Sequence, residues 1–165
     1  MDQPVAPVLI IGCGNLLRGD DAVGPLVIRT LWEMWGEWVP AGVELCDGGT
    51  AGMDVAFKMR GRSRVILIDA CDLGCDPGAL YCVPGDELEN IPDLTTLHSH
   101  SFRWDHALAF ARWLLKESYP QQIQVYLIQI EKTDFGAPLS KPVEDAMGRL
   151  VKRIVNSLTE EGFED

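Results

Sequence analysis

VLIIGCGNLLRGDDAVG, residues Val8 to Gly24, decides how the rest of the chain is read. Val8 to Ile11 is an unbroken apolar run stopped by a glycine, the pattern of a short strand covered on both faces, and so of a parallel sheet. Gly12 and Gly14 permit a sharp reversal. Asn15 tolerates left-handed backbone, so Gly14-Asn15 reads as a tight turn directly after the strand. A helix is expected to start near Asp20 or Asp21, since either carboxylate suits a helix N-terminus as a cap. Two adjacent carboxylates are more than a cap needs. The glycines do not spell a dinucleotide site, because the third glycine of G-x-G-x-x-G is replaced by Leu17. A phosphate loop, G-x-x-x-x-G-K-S/T, is absent too, and Asp20 and Asp21 would repel a phosphate there.

Composition narrows the classes further. A length of 165 residues suits one domain, expected to span residues 1–165, with a real hydrophobic core. Apolar residues at 47% and charged residues at 24% describe an ordinary folded protein rather than a disordered one. The net charge of −11, from 14 basic and 25 acidic residues, argues against nucleic acid as a partner. The opening MDQPVAP is polar, and no apolar run approaches the ~20 residues that span a bilayer, so no membrane partner is expected and the protein reads as cytoplasmic. Cys13, Cys46, Cys71, Cys75 and Cys82 are odd in number and contain no C-x-x-C pair. They read as reduced thiols packing as small apolar groups at or near strands.

Working outward, Ala22 to Trp35 carries Val23, Leu26, Val27, Leu31 and Trp35 at helical spacing. Val43 to Cys46 is a second strand running into Asp47-Gly48-Gly49-Thr50, and Ala51 to Met59 a short helix. Arg64 to Ile68, the most apolar strand, ends at Asp69. Ala79 to Val83 is a fourth strand, edge or antiparallel because its connection from the third is short. Pro84 to Leu97 shows no period and reads as a surface loop. An amphipathic helix from Ser101 to about Lys116, a strand from Ile123 to Ile130 and a last helix from Ser140 to about Leu158 complete the chain. The alternation predicts an α/β three-layer sandwich: a doubly wound, mostly parallel sheet of about five strands with helices on both faces. Ligands of such sheets sit beyond the carboxyl ends of the strands. That rim would gather Asp20, Asp21, Asp47, Asp69 and the histidines of residues 98–106.

Two carboxylates and an imidazole supply an oxygen, oxygen, nitrogen donor set suited to a borderline divalent metal with positions left open for substrate. Asp21, Asp69 and one of His98, His100 and His106 make the best trio. Any one Asp after a strand is commonly a cap or turn former; the convergence of the set is what favours chemistry. Cys13 with a nearby histidine base is the rival nucleophile. No G-x-S-x-G elbow and no H-E-x-x-H helix occurs. A non-catalytic metal-dependent binding module, or chaperone for a metalloprotein, would use the same rim without cutting anything.

The residues also match a known pattern. With GCGNLLRGDDAVG at Gly12 to Gly24, CDGGTAGM at Cys46 to Met53, VILIDA at Val65 to Ala70, HSHSFRWDHALAFA at His98 to Ala111 and GAPLSKPVEDAM at Gly136 to Met147, the chain resembles the [NiFe]-hydrogenase maturation endopeptidases. The resemblance implies a cytoplasmic aspartyl-type peptidase that removes a C-terminal extension from the hydrogenase large-subunit precursor once nickel is inserted. It puts the metal-contacting residues on Asp21, Asp69 and His100, with His98 two residues away. It gives Asp47, in the DGGT motif, an influence on cleavage or nickel recognition. The implied cofactor is nickel brought by the substrate, and other divalent metals could occupy the site.

Overall fold

The computed structural model describes residues 4–50, 54–89 and 104–160. Five strands form one sheet in the order β2-β1-β3-β5-β4: β1 is Val8–Cys13, β2 Val43–Gly49, β3 Arg64–Cys71, β4 Leu80–Pro84 and β5 Gln122–Gln129. β1 pairs in parallel with β2 on one side and β3 on the other, and β3 pairs in parallel with β5. β4 returns antiparallel to β5 at the edge, as its short connection from β3 requires. β3 is buried at every position, which its unbroken apolar run anticipates, whereas β4 is only partly covered.

Side-chain alternation divides the core into two layers. Leu9, Ile11 and Cys13 of β1, with Val65, Leu67, Val125 and Leu127, pack against helices α2 (Asp54–Lys58) and α4 (Trp104–Leu115). Ile10, Ile66, Ile68 and Ile128 pack against α1 (Val23–Trp35) and α5 (Lys141–Glu160). Each fully buried Leu or Ile contributes about 1.5–3 kcal/mol, so both faces must be covered for the sheet to stand. The three-layer architecture expected from the alternation is the one observed.

Local details differ from the sequence reading. Neither Asp20 nor Asp21 caps a helix: a 3₁₀ turn over Gly19–Ala22 leads into α1, and neither Arg18 nor Ala22 at the cap positions makes a side-chain cap. β2 continues through the DGG motif instead of stopping before it. The stretch after β4 is not all loop, because Gly85–Glu89 forms a further helix, α3, with Asp86 and Glu87 in its first turn. Five residues are too few to show a helical period, though acidic residues there favour a helix N-terminus. Cys75 and Cys82 are exposed rather than packed.

One contact sets the height of α1 above the sheet. A Cβ on Gly24 would overlap the Cys13 carbonyl oxygen and lie 2.8 Å from both Cys13 N and Ile68 O; a Cβ on Gly12 would overlap the Gly24 carbonyl. The obstructing atoms are backbone, so nothing can swing aside. Gly24→Ala is therefore expected to cost about 2–3 kcal/mol, lowering Tm by about 5 °C or more. An unchanged urea midpoint would show that α1 is free to ride outward.

Candidate functional site

Strand order reverses between β1 and β3, the position at which sheets of this kind form a ligand crevice beyond the carboxyl ends of their strands. The chain leaves β1 through Gly14, whose φ of 149° lies where only glycine sits easily, and whose missing Cβ lets the Asp21 carbonyl come against it. Gly14 N–H donates to Gly49 O at 2.8 Å, joining the ends of β1 and β2. Asn15 then makes an Asx turn: its Oδ1 accepts from Leu17 N–H at 2.9 Å. Asn15 N–H donates to Asp21 Oδ2 at 3.0 Å, so the turn orients the carboxylate.

Asp21 is only 1% exposed and Asp69 8%, although the sequence suggests open rim positions. Asp69 lies in β3, where Oδ1 accepts the N–H of Ala70 at 2.8 Å. Its register places it on the α2/α4 face, in step with Cys71. Burial first, and the Asp69 charge second, push both neighbouring thiols up: Cys13 well beyond the ordinary thiol range and Cys71 to about 12. A thiol kept protonated makes a poor nucleophile, and Cys13 is fully buried. Burial and the neighbouring carboxylate thus disfavour Cys13 as a nucleophile.

Asp47 is half-buried in β2 opposite Gly12, and its Oδ1 accepts from Gly49 N–H at 2.9 Å. In step with Leu45, it leaves the sheet toward the α1 face, opposite to Asp69. Asp20 does not belong to the crevice. It is wholly buried, and its carboxylate accepts four hydrogen bonds from the β5–α5 loop: from Glu131 N–H at 2.8 Å, Lys132 N–H at 3.0 Å, Ser140 N–H at 2.7 Å and Ser140 Oγ–H at 2.8 Å. Nothing in the sequence announces this role, because the donors are backbone amides far along the chain.

His98 and His100 lie outside the described residues; His106 falls in the first turn of α4, its side chain likewise outside them. Among the described residues no three His, Cys, Asp or Glu side chains form a metal cage. Two of the three anticipated donors are thus described: Asp21 in the 3₁₀ turn that follows β1, and Asp69 near the end of β3. Sequence reasoning missed one polar contact nearby: Lys58 Nζ donates to Cys46 Sγ at 3.4 Å, reaching from α2 to β2. No local spacing signals a pair on separate elements.

Comparison with known proteins follows the same lines. The profile of the hydrogenase maturation protease family HycI matches residues 27–157. The hydrogenase expression/formation protein HoxM of Azotobacter vinelandii is 31% identical over 156 residues, covering 94% of this chain and 73% of its own. Among solved structures, the hydrogenase 2 maturation peptidase from Thaumarchaeota archaeon SCGC_AB-539-E09 superposes with a TM-score of 0.68 at 29% identity, over 92% of this chain and 97% of that one. The hydrogenase maturating endopeptidase HybD from E. coli superposes with a TM-score of 0.74 over 94% and 93%, and at 24% identity supports the fold. No helix among the described residues is long and apolar enough to cross a membrane. The family match over most of the chain, with the fold and strand-end carboxylates already described, makes this protein a member of the hydrogenase maturation proteases, and so a peptidase.

Proposed function

We propose that this peptidase removes the C-terminal extension of a [NiFe]-hydrogenase large-subunit precursor after nickel insertion, working as a single domain in the cytoplasm without nucleic acid or membrane. The observation that carries the reading is the pair of buried carboxylates, Asp21 and Asp69, each accepting a backbone N–H near the switch point of the sheet. A carboxylate offers about four lone-pair sites, so a backbone hydrogen bond can orient it while it also contacts a metal. Asp21, Asp69 and His100 would hold the precursor's nickel from the enzyme side. The Asx turn of Asp47 shapes the neighbouring wall of the crevice.

The donor chemistry fits nickel arriving with its substrate. Two hard oxygens and one imidazole make a modest site alone, and the thiolates of a hydrogenase large subunit would complete it. The metal would supply Lewis acidity toward the scissile carbonyl. A shared ion would also act as a check, since an empty precursor lacks the contact that holds its tail at the rim.

The test compares nickel-loaded and nickel-free precursor by intact mass, with the protease untreated or chelated beforehand. Cleavage should follow nickel in the precursor and be indifferent to chelation of the protease alone. Efficient cleavage of nickel-free precursor by chelated protease rules out the shared ion. A precursor whose mass never changes, yet which stays bound, makes the protein a metal-dependent binding module.

A further inference from the structure

The loop that carries Asp21 also lifts apolar side chains into solvent. Leu16 is 37% exposed and Leu17 59%, and across from them, in the β5–α5 loop, Phe135 is 72% exposed. These loops form one short ribbon: Arg18 bridges antiparallel to Phe135, Gly136 N–H donates to Leu17 O at 2.8 Å, and Asp20 N–H donates to Lys132 O at 2.8 Å. The buried Asp20 carboxylate, with its four hydrogen bonds, locks the two strands of the ribbon from beneath. A rigid platform that presents Leu and Phe to water has no folding purpose, and exposed apolar surface of this kind marks a place for a partner.

We infer that this ribbon is the docking surface for an apolar, extended segment of the precursor next to its cleavage point; this rests on the function proposed above. Three observations select that occupant. The chain is a hydrogenase maturation protease, so a polypeptide must lie along the rim that holds its reacting groups. The ribbon is continuous with the crevice, since Asn15, which orients Asp21, is followed directly by Leu16 and Leu17. Leu16, Leu17 and Phe135 supply the apolar contacts of the ribbon, set among the exposed charges of Arg18, Lys132 and Asp134, so an apolar side chain is what these three positions fit. Because the platform is already ordered, binding there does not have to organise a loop.

Steady-state cleavage of nickel-loaded precursor tests the inference. The double variant Leu17→Ser/Phe135→Ser should raise KM by about tenfold or more while kcat stays within about twofold, because such contacts bind ground state and transition state alike. Its Tm should stay close to wild type, since both side chains are already in water, and restoring Phe135→Leu in place of Ser should recover part of the loss. Phe57→Ser/Trp113→Ser, which removes exposed apolar side chains 55% and 71% accessible on α2 and α4, serves as the control and should leave KM unchanged. An unaltered KM in the ribbon variant, an equal rise in the control, or a fall confined to kcat would overturn the inference. Binding of intact precursor is measured alongside. If wild type binds without cutting, the proposed function falls, and the ribbon is judged by whether its variant loses binding; if wild type neither binds nor cuts, both fall.

Discussion

Asp21→Asn should lower the cleavage rate of nickel-loaded precursor by about 100-fold or more while leaving the protein folded, and Asp69→Asn should do the same. The amide has nearly the volume of the carboxylate and keeps an oxygen for the donors seen here, Asn15 N–H in one case and Ala70 N–H in the other. What disappears is the negative charge that a metal contact needs. Stability should therefore change by less than about 1 kcal/mol. Cleavage at the wild-type rate would remove the substituted residue from the site. Loss of soluble protein along with activity would instead mark it as a structural carboxylate.

Asp20→Ala should behave in the opposite way, costing about 3–5 kcal/mol of stability and about 10 °C or more of Tm. The carboxylate is wholly buried and satisfies three backbone N–H groups and the Ser140 hydroxyl. Removing it strands those donors in a space too closed for water to replace it fully. Asp20→Asn, which turns an NH₂ group toward donors, should recover only part of the loss. Urea titration reads the effect directly, and a change below about 0.5 kcal/mol for Asp20→Ala would mean the loops are held by other contacts. Two identical neighbouring residues are thus expected to divide cleanly, one into stability and one into activity.

That division also marks how far the sequence could be read. The parallel sheet was legible because continuous apolar runs such as Val65 to Ile68 have few other uses, and the rim followed from topology. The sequence put Asp21 rather than Asp20 in the trio, but the role Asp20 plays instead was not legible, because it depends on amides around residues 131–140. The opposite facing of Asp47 and Asp69 became visible only when β2 proved to extend past Cys46, with Asp47 paired to Gly12 before the register shifts. α3 was hidden by its brevity, and Cys75 and Cys82 by a rule about cysteine that does not hold for a loop and an edge strand. The imidazole of the proposed donor set lies outside the described residues.

The Asp20 tie has a bearing on when the protein becomes an enzyme. Its hydrogen bonds join positions 111 to 120 residues apart, so the loop bearing Asp21 cannot reach its final shape until Ser140 has left the ribosome. Asp21, Asp47 and Asp69 are all synthesised long before that point. A nascent chain would hold every carboxylate of the crevice and still lack the ordered ribbon beside it. The ribbon is therefore ordered late in synthesis, with the closing of the β5–α5 loop, and on the function proposed above a half-made protease would lack the surface that grips its precursor.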